Sequence, residues 1–265
     1  MSLFPFLKDN IDYLEQHGLP AYTWLSNNDI DAEALTSRLF KNRWGMLDWR
    51  MEDGAGMFEA LPTGPLYQEW TPKDKADTSA TIIVGGNLGY GINHVLAHTP
   101  DSHKVVLVEP DPLLLTALLG QTDYRPFFAN RKLHIAPPDE MYLNHLIKHL
   151  DLQFIYGRIH LRADIPSTQL GPDYARFTRI LRDRLENFSV ELQTLRFRQD
   201  VMVGNELKNF RRALADGSLK DLKGAGKGMG AVIIGAGPSL AELGPALAED
   251  QGDMLYTTAL QSMPA

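Results

Sequence analysis

From Ala80 onward, short apolar runs alternate with segments of helical spacing, and no other feature of this chain limits its possible folds so strongly. Thr81–Val84 reads as a buried strand, Gly89–Ala97 as a helix, Val105–Val108 as a second strand and Pro112–Leu119 as a second helix. Leu133–Ala136 supplies a third strand, and Met141–Leu150 the helix after it. Phe154–Leu161 reads as a fourth strand, interrupted by Gly157 and Arg158. Strands that alternate with helices build a parallel sheet whose crossovers carry the helices. The expected core is therefore a small, doubly wound, Rossmann-like α/β sheet over residues 80–165.

The flanking segments follow other patterns. Phe4, Leu7, Ile11 and Leu14, and then Ala32, Leu35, Leu39 and Phe40, are spaced for two amphipathic helices around a loop rich in Asn and Asp. Met46–Met51 and Met57–Leu61 read as short strands about a turn at Asp53-Gly54. Residues 1–79 thus form a helix and hairpin region, closed by the polar stretch Thr71–Ser79. Residues 166–219 read as a helical pair. The apolar stripe of Tyr174, Phe177, Leu181, Leu185, Phe188, Leu192 and Leu195 marks its first member, and Val201–Leu214 marks its second. The outward faces carry Arg176, Arg179, Arg182 and Arg184, with Arg196, Arg198, Arg211 and Arg212 further on. Interleaved Asp183, Glu186 and Glu191 make this a solvated face, while the arginines alone would suit an anionic ligand or an acidic partner. Lys220–Gly230 is a glycine- and lysine-rich linker.

The first chemical candidate is Gly85-Gly86-Asn87-Leu88-Gly89-Tyr90-Gly91, paired with Glu109-Pro110-Asp111 after the next strand. A glycine turn entering a helix lets the backbone approach a phosphate, and an acidic residue one strand later can accept hydrogen bonds from ribose hydroxyls. Gly85, Gly86, Asn87, Gly89, Gly91 and Glu109 are accordingly candidate nucleotide-binding residues. The same residues could equally make a tight turn, with Glu109 capping the following helix. The segment looks somewhat like a S-adenosylmethionine-dependent methyltransferase. It departs from that pattern at Val84, where an acidic residue is common, and in having no Asn-Pro-Pro-Tyr-like motif after Phe154–Leu161.

Other chemistries find little support. His94 and His98 lie one helical turn apart, as do His145 and His149, but no third ligand stands at a recognisable spacing, so no metal site is assigned. No Gly-x-Ser-x-Gly motif occurs. The absence of cysteine excludes disulfides, thiolate zinc sites and cysteine nucleophiles, and is compatible with the cytoplasmic location expected here. A net charge of -7 argues against a general nucleic-acid binder, whose affinity would rest on neutralising phosphates. No segment has the apolar length of a membrane span. The Leu3–Leu7 run is too short for a signal peptide and has no basic residue before it.

A second glycine turn lies near the C-terminal end, in Val232-Ile-Ile-Gly235-Ala-Gly237-Pro-Ser239-Leu240, where an apolar strand runs into a helix-capping serine. A helix near Ala241–Glu249 and a strand near Met254–Thr258 follow it. Residues 231–265 therefore look like the incomplete start of a second Rossmann-like domain. This linker, strand, glycine turn, helix and strand resemble the start of the central domain of the motility-associated factor (Maf) flagellin glycosyltransferases. Gly89-Tyr-Gly-Ile-Asn-His94 and Val106-Leu-Val-Glu-Pro-Asp111 are similar to the nucleotide-fold N-terminal domain of the same family. The two matches occur in the family's order and together cover roughly residues 80–260.

The resemblance implies transfer of a nonulosonic, sialic-acid-like sugar from a CMP donor to Ser or Thr of flagellin. It assigns Gly235, Gly237 and Ser239 to the donor's phosphate, makes the CMP-sugar the small-molecule partner and makes flagellin the protein partner. It names no catalytic residue. The same domain type occurs in archaeal 6-hydroxymethylpterin diphosphokinases, where the turn would face ATP or pterin. Two strands and one helix cannot enclose a sugar nucleotide, so the chain is expected to be the N-terminal portion of such an enzyme and inactive alone. A methyltransferase-like enzyme using Gly85–Gly91 and Glu109, a pterin diphosphokinase-like protein and a non-catalytic adaptor that binds flagellin or another partner are the alternatives.

Overall fold

The computed structural model describes residues 3–59, 63–215, 219–234 and 254–258. The chain folds as two compact units, Met1–Thr194 and Leu195–Ala265.

The first unit opens with helices α1 (Leu7–Gln16), α2 (Pro20–Ser26) and α3 (Ala32–Arg38), followed by strands β1 (Leu39–Lys41) and β2 (Leu47–Trp49) and the short helix α4 (Thr63–Tyr67). The sheet region then runs β3 (Ala80–Val84), α5 (Tyr90–His98), β4 (Lys104–Val108), α6 (Pro112–Gln121), α7 (Arg125–Ala129) and β5 (Leu133–Ala136). It continues through α8 (Glu140–Lys148), α9 (Asp151–Tyr156), β6 (Ile159–Ala163), α10 (Ile165–Thr168) and the long helix α11 (Pro172–Ala215). The four strands β3 to β6 pair in parallel in the order β5-β4-β3-β6. This is the doubly wound α/β sheet expected from the alternating pattern.

Two cores explain why β3 and β4 are apolar at nearly every position. Ile83, Val105, Leu107, Leu133 and Ile135 face a cluster with Leu14 of α1, Leu25 of α2, Ile92, Val95 and Leu96 of α5, and Leu115 and Leu118 of α6. Ala80, Ile82, Val84, Val106 and Val108 face the other way, onto Leu143 and Ile147 of α8 and Tyr174, Phe177, Leu181 and Phe188 of α11. Neither face of the central strands meets water, which is the usual condition of a parallel sheet. Tyr67 and Trp70 belong to the first cluster, so residues on both sides of Thr71–Ser79 share one core.

Several local readings differ from the structure. The fourth strand begins at Ile159, because residues 151–156 complete a helix whose Phe154 ring meets Phe188 edge-on at 4.9 Å. Gly157 ends that helix where the backbone passes Thr78, and a Cβ there would collide with the Thr78 carbonyl oxygen. The hairpin pairs β1 with β2 in the register Leu39↔Trp49, so Leu39 and Phe40 are strand residues rather than the end of a helix. Its turn is closed by Asn42, whose side-chain oxygen accepts from the N–H groups of Trp44 and Met46. Residues 50 and 56 make a single antiparallel bridge in place of the expected second strand at 57–61, of which residues 60 and 61 lie outside the described residues. Part of the expected Asn- and Asp-rich loop forms α2, with Pro20 at its first turn, a position that needs no N–H donor. The expected helical pair is one 44-residue helix, continuous through Gly204.

In the second unit, the C-terminal part of α11 is followed by a 3-10 turn at Leu219–Leu222. Strands β7 (Gly230–Ile234) and β8 (Met254–Thr258) pair in parallel, from Gly230↔Met254 to Ile234↔Thr258. No helix among the described residues is long and apolar enough to cross a membrane.

Candidate functional site

The carboxyl ends of parallel strands are where doubly wound folds take ligands, above all where successive connections leave in opposite directions. Here that point lies between β3 and β6, because β4 and β5 lie on one side of β3 and β6 on the other. The first glycine turn leaves β3 at this place. Gly85 takes a φ of +93° and its N–H donates to the Val108 carbonyl. Asn87 (φ +42°) and Gly89 (φ +97°) complete the turn into α5.

Glu109, at the end of β4, does meet this turn. Its carboxyl group is fully buried, and Oε2 accepts the Gly86 N–H at 2.6 Å. Oε1 accepts the Asp111 N–H at 3.0 Å and the Tyr174 hydroxyl, from the first turns of α11, at 2.6 Å. Both oxygens are thus occupied by the protein's own donors. Burial pushes the Glu109 carboxyl up to about 8, against the opposing pull of the three hydrogen bonds. The following helix is capped by Asp111, which accepts from the N–H groups of Leu113 and Leu114.

At the crevice between β3 and β6 the polar side chains are likewise bonded to one another. Asp164, at the end of β6, is buried. Its Oδ1 accepts the Tyr67 hydroxyl at 2.8 Å, while Oδ2 accepts the N–H and the hydroxyl of Ser167. Asn87 donates through Nδ2 to the Tyr67 oxygen at 3.0 Å and accepts the Tyr90 N–H on its side-chain oxygen. Burial raises the pKa values of Asp164 and of the Tyr67 and Tyr174 hydroxyls above their ordinary values. Ser167 and Asp164 press on the turn itself, since a Cβ at Gly85 would lie 2.6 Å from the Ser167 Cβ. The first turn of α5 is packed against aromatic rings, and a Cβ at Gly91 would lie 2.7 Å from Trp70 and 2.9 Å from Tyr67. At Gly89 a Cβ would lie 2.8 Å from the Tyr124 hydroxyl.

At Gly85, Gly91 and Gly89 the space that a side chain would take is held by Ser167, Trp70 and Tyr124 respectively. Tyr67, Asp164, Ser167 and Tyr174 were not legible as partners of this turn, because they come from three separate segments and share no motif. Gly235, Gly237 and Ser239 lie outside the described residues. The strand that leads into them, β7, is described, and so is its parallel neighbour β8.

The histidine pairs differ in geometry. His94 is bonded to Thr71 through Nε2 at 3.2 Å and stacks on His98, whereas the Nε2 atoms of His145 and His149 face each other at 3.1 Å. Among the described residues no group of three or more His, Cys, Asp or Glu side chains is placed to hold a metal ion.

No protein-family model matches the chain, and no curated protein matches it. Among solved structures it is similar to a MAf glycosyltransferase from Magnetospirillum magneticum AMB-1, with a TM-score of 0.46 and 12% sequence identity. The alignment covers 68% of this chain and 35% of that one, so the match spans about a third of the neighbour's length.

Proposed function

We propose that this chain is the N-terminal portion of a Maf-type glycosyltransferase that moves a nonulosonic sugar from a CMP donor to Ser or Thr of flagellin. In this reading the two glycine turns have different work. The first, Gly85–Gly91 with Glu109, holds the sheet, α5 and α11 together through buried hydrogen bonds. The second, with Gly235, Gly237 and Ser239, serves the donor's phosphate.

The observation that carries the reading is the parallel pairing of β7 with β8, the strands on either side of residues 235–253 in sequence. Two adjacent parallel strands need a crossover of a dozen or more residues, and residues 235–253, which begin with Gly-Ala-Gly-Pro-Ser, supply one. A strand, a glycine turn and a parallel return strand make the first unit of a nucleotide-binding sheet. The resemblance of both sequence segments to the Maf family, in the family's order, adds the sugar nucleotide. N–H groups at the start of the helix after such a turn would stabilise the negative charge that grows on the departing CMP.

The test is transfer to flagellin read by intact mass. Flagellin incubated with a CMP-activated nonulosonic acid and the uninterrupted product of the natural reading frame is expected to gain the mass of one or more sugar residues. The 265-residue polypeptide alone is expected to give none. Turnover by the short polypeptide overturns the assignment as a portion, and no mass gain with the long product overturns the glycosyltransferase.

A further inference from the structure

Helix α8 commits one row of side chains to the core and another to the surface. Leu143 and Ile147 are fully buried in the cluster that covers the sheet, which turns Met141, His145 and His149 outward at four-residue spacing. His145 lies within the helix, and His149 is its C-cap, with φ -82° and ψ -2° still close to helical geometry. Both histidines are exposed. The helix that carries them is anchored by its buried row, so their spacing is set before any ligand arrives.

The two Nε2 atoms stand 3.1 Å apart, and the rings meet edge to face with centroids 4.8 Å apart. Imidazole nitrogen bonds a transition ion at about 2.0–2.1 Å, so a separation of 3.1 Å subtends about 95–100° at an ion held by both rings. That angle lies between the roughly 90° of adjacent square-planar ligands and the roughly 109° of a tetrahedron. Without an ion, the contact is an N–H of one ring donated to the lone pair of the other. An ion between the rings takes the place of that proton.

The other histidines are committed elsewhere. In the second pair with this spacing, His94 Nε2 is bonded to Thr71, His98 Nδ1 to the His94 carbonyl, and the rings are stacked. His103 uses both ring nitrogens, on Thr81 and on the Ala76 carbonyl, and His134 Nε2 meets the Tyr142 hydroxyl. Among the described residues, His145 and His149 have no hydrogen bond except the one between them, and no ion pair.

The surroundings select the kind of ion. Lys148 and Arg184 line a groove beside His145 together with Asp139, so no excess of negative charge is gathered there. Mg²⁺ and Ca²⁺, which need several oxygen ligands, are therefore disfavoured. Neutral imidazole nitrogen suits zinc, nickel and copper, with affinity greatest for Cu²⁺. No third His, Cys, Asp or Glu among the described residues is placed to join the pair, which leaves the remaining positions to water.

We propose that His145 and His149 form a two-nitrogen surface chelate for a divalent transition ion of the copper, nickel and zinc group, each supplying Nε2.

The probe is Cu²⁺, with Ca²⁺ for comparison, titrated calorimetrically into the full chain without a purification tag. Cu²⁺ is expected to bind at one preferred site, and Ca²⁺ to give no heat. His145→Ala and His149→Ala are each expected to weaken Cu²⁺ binding about tenfold or more, because either change turns a chelate into a single ligand. The double substitution is expected to add little to either one, and His94→Ala to leave the affinity unchanged. The electron paramagnetic resonance spectrum of bound Cu²⁺ is expected to show coupling to two nitrogens, and to lose one of them in each single variant. An affinity that neither substitution alters overturns the proposal. So do losses that add as for two independent ligands, or coupling to one nitrogen in the unsubstituted chain.

Discussion

The Tyr174 hydroxyl donates to Oε1 of Glu109 at 2.6 Å, and through that carboxyl group the start of α11 is joined to the glycine turn after β3. Tyr174 supplies to Glu109 the kind of hydroxyl that a ribose would supply in a nucleotide-binding sheet. The two residues are 65 positions apart in sequence.

Tyr174→Phe removes this donor and keeps the ring in the core. A hydrogen bond between neutral groups contributes roughly 0.5–1.5 kcal/mol, so below about pH 8, where Glu109 holds its proton, the variant is expected to lose about 1 kcal/mol in denaturant unfolding. An unchanged midpoint would show that the bond contributes nothing.

Glu109 makes stability depend on pH in a defined sense. It ionises near 4.5 when unfolded and is raised to about 8 in the fold, mainly by burial. Between these values the folded state holds a proton that the unfolded state has released, so stability is full below about pH 4.5 and is lost as pH rises toward 8. The slope attributable to one such group approaches about 1.4 kcal/mol per pH unit. Asp164 is raised by burial too and contributes with the same sign. Urea unfolding across this range is expected to show the loss, and Glu109→Gln to flatten the curve. A curve that rises over the same range would contradict the assignment.

Two glycines with nearly the same backbone separate conformational strain from crowding. Gly54 (φ +87°) has open space where a Cβ would stand, whereas at Gly85 (φ +93°) the Cβ would meet Ser167 and Asp164. Gly54→Ala is expected to cost about 1 kcal/mol from the backbone alone. Gly85→Ala is expected to cost at least about 3 kcal/mol, because α10 must also move. Equal losses in thermal unfolding would mean that the contact with Ser167 is dispensable.

Lys132 is buried, and its ammonium group donates to the carbonyls of Leu96 and Thr99 at the C-terminal end of α5, at 2.8 and 2.6 Å. Burial lowers its pKa, with Asp101 at 3.8 Å opposing. Lys132→Met keeps the stem but leaves those carbonyls without the ammonium group, and is expected to destabilise the fold by about 2 kcal/mol. Faster amide exchange confined to α5 would accompany the loss.

The strands β3, β4 and β5 were legible because each is a short apolar run bounded by turn residues, and such patterns depend on neighbours in sequence. The reading placed Gly86 and Glu109 at one site, and the structure brings them into direct contact. The hydrogen bonds of Tyr67, Asp164, Ser167 and Tyr174 beside that turn could not be read, since each arrives from a distant segment and none carries a motif. The same limit explains the fourth strand. Residues 154–156 are apolar enough for a strand, and only the packing of Phe154 on Phe188 and of Gly157 on Thr78 makes them a helix end.

The inward commitment of the first glycine turn is tested most directly by amide exchange at Gly86 and Asp111, the two main-chain donors to Glu109. With and without saturating S-adenosylmethionine or CMP, both amides are expected to exchange as slowly as those of β3 and β4, at rates that neither ligand changes. Fast exchange at Gly86, or a rate that either ligand alters, would contradict the account and return Gly85–Gly91 and Glu109 to the role of an open nucleotide site.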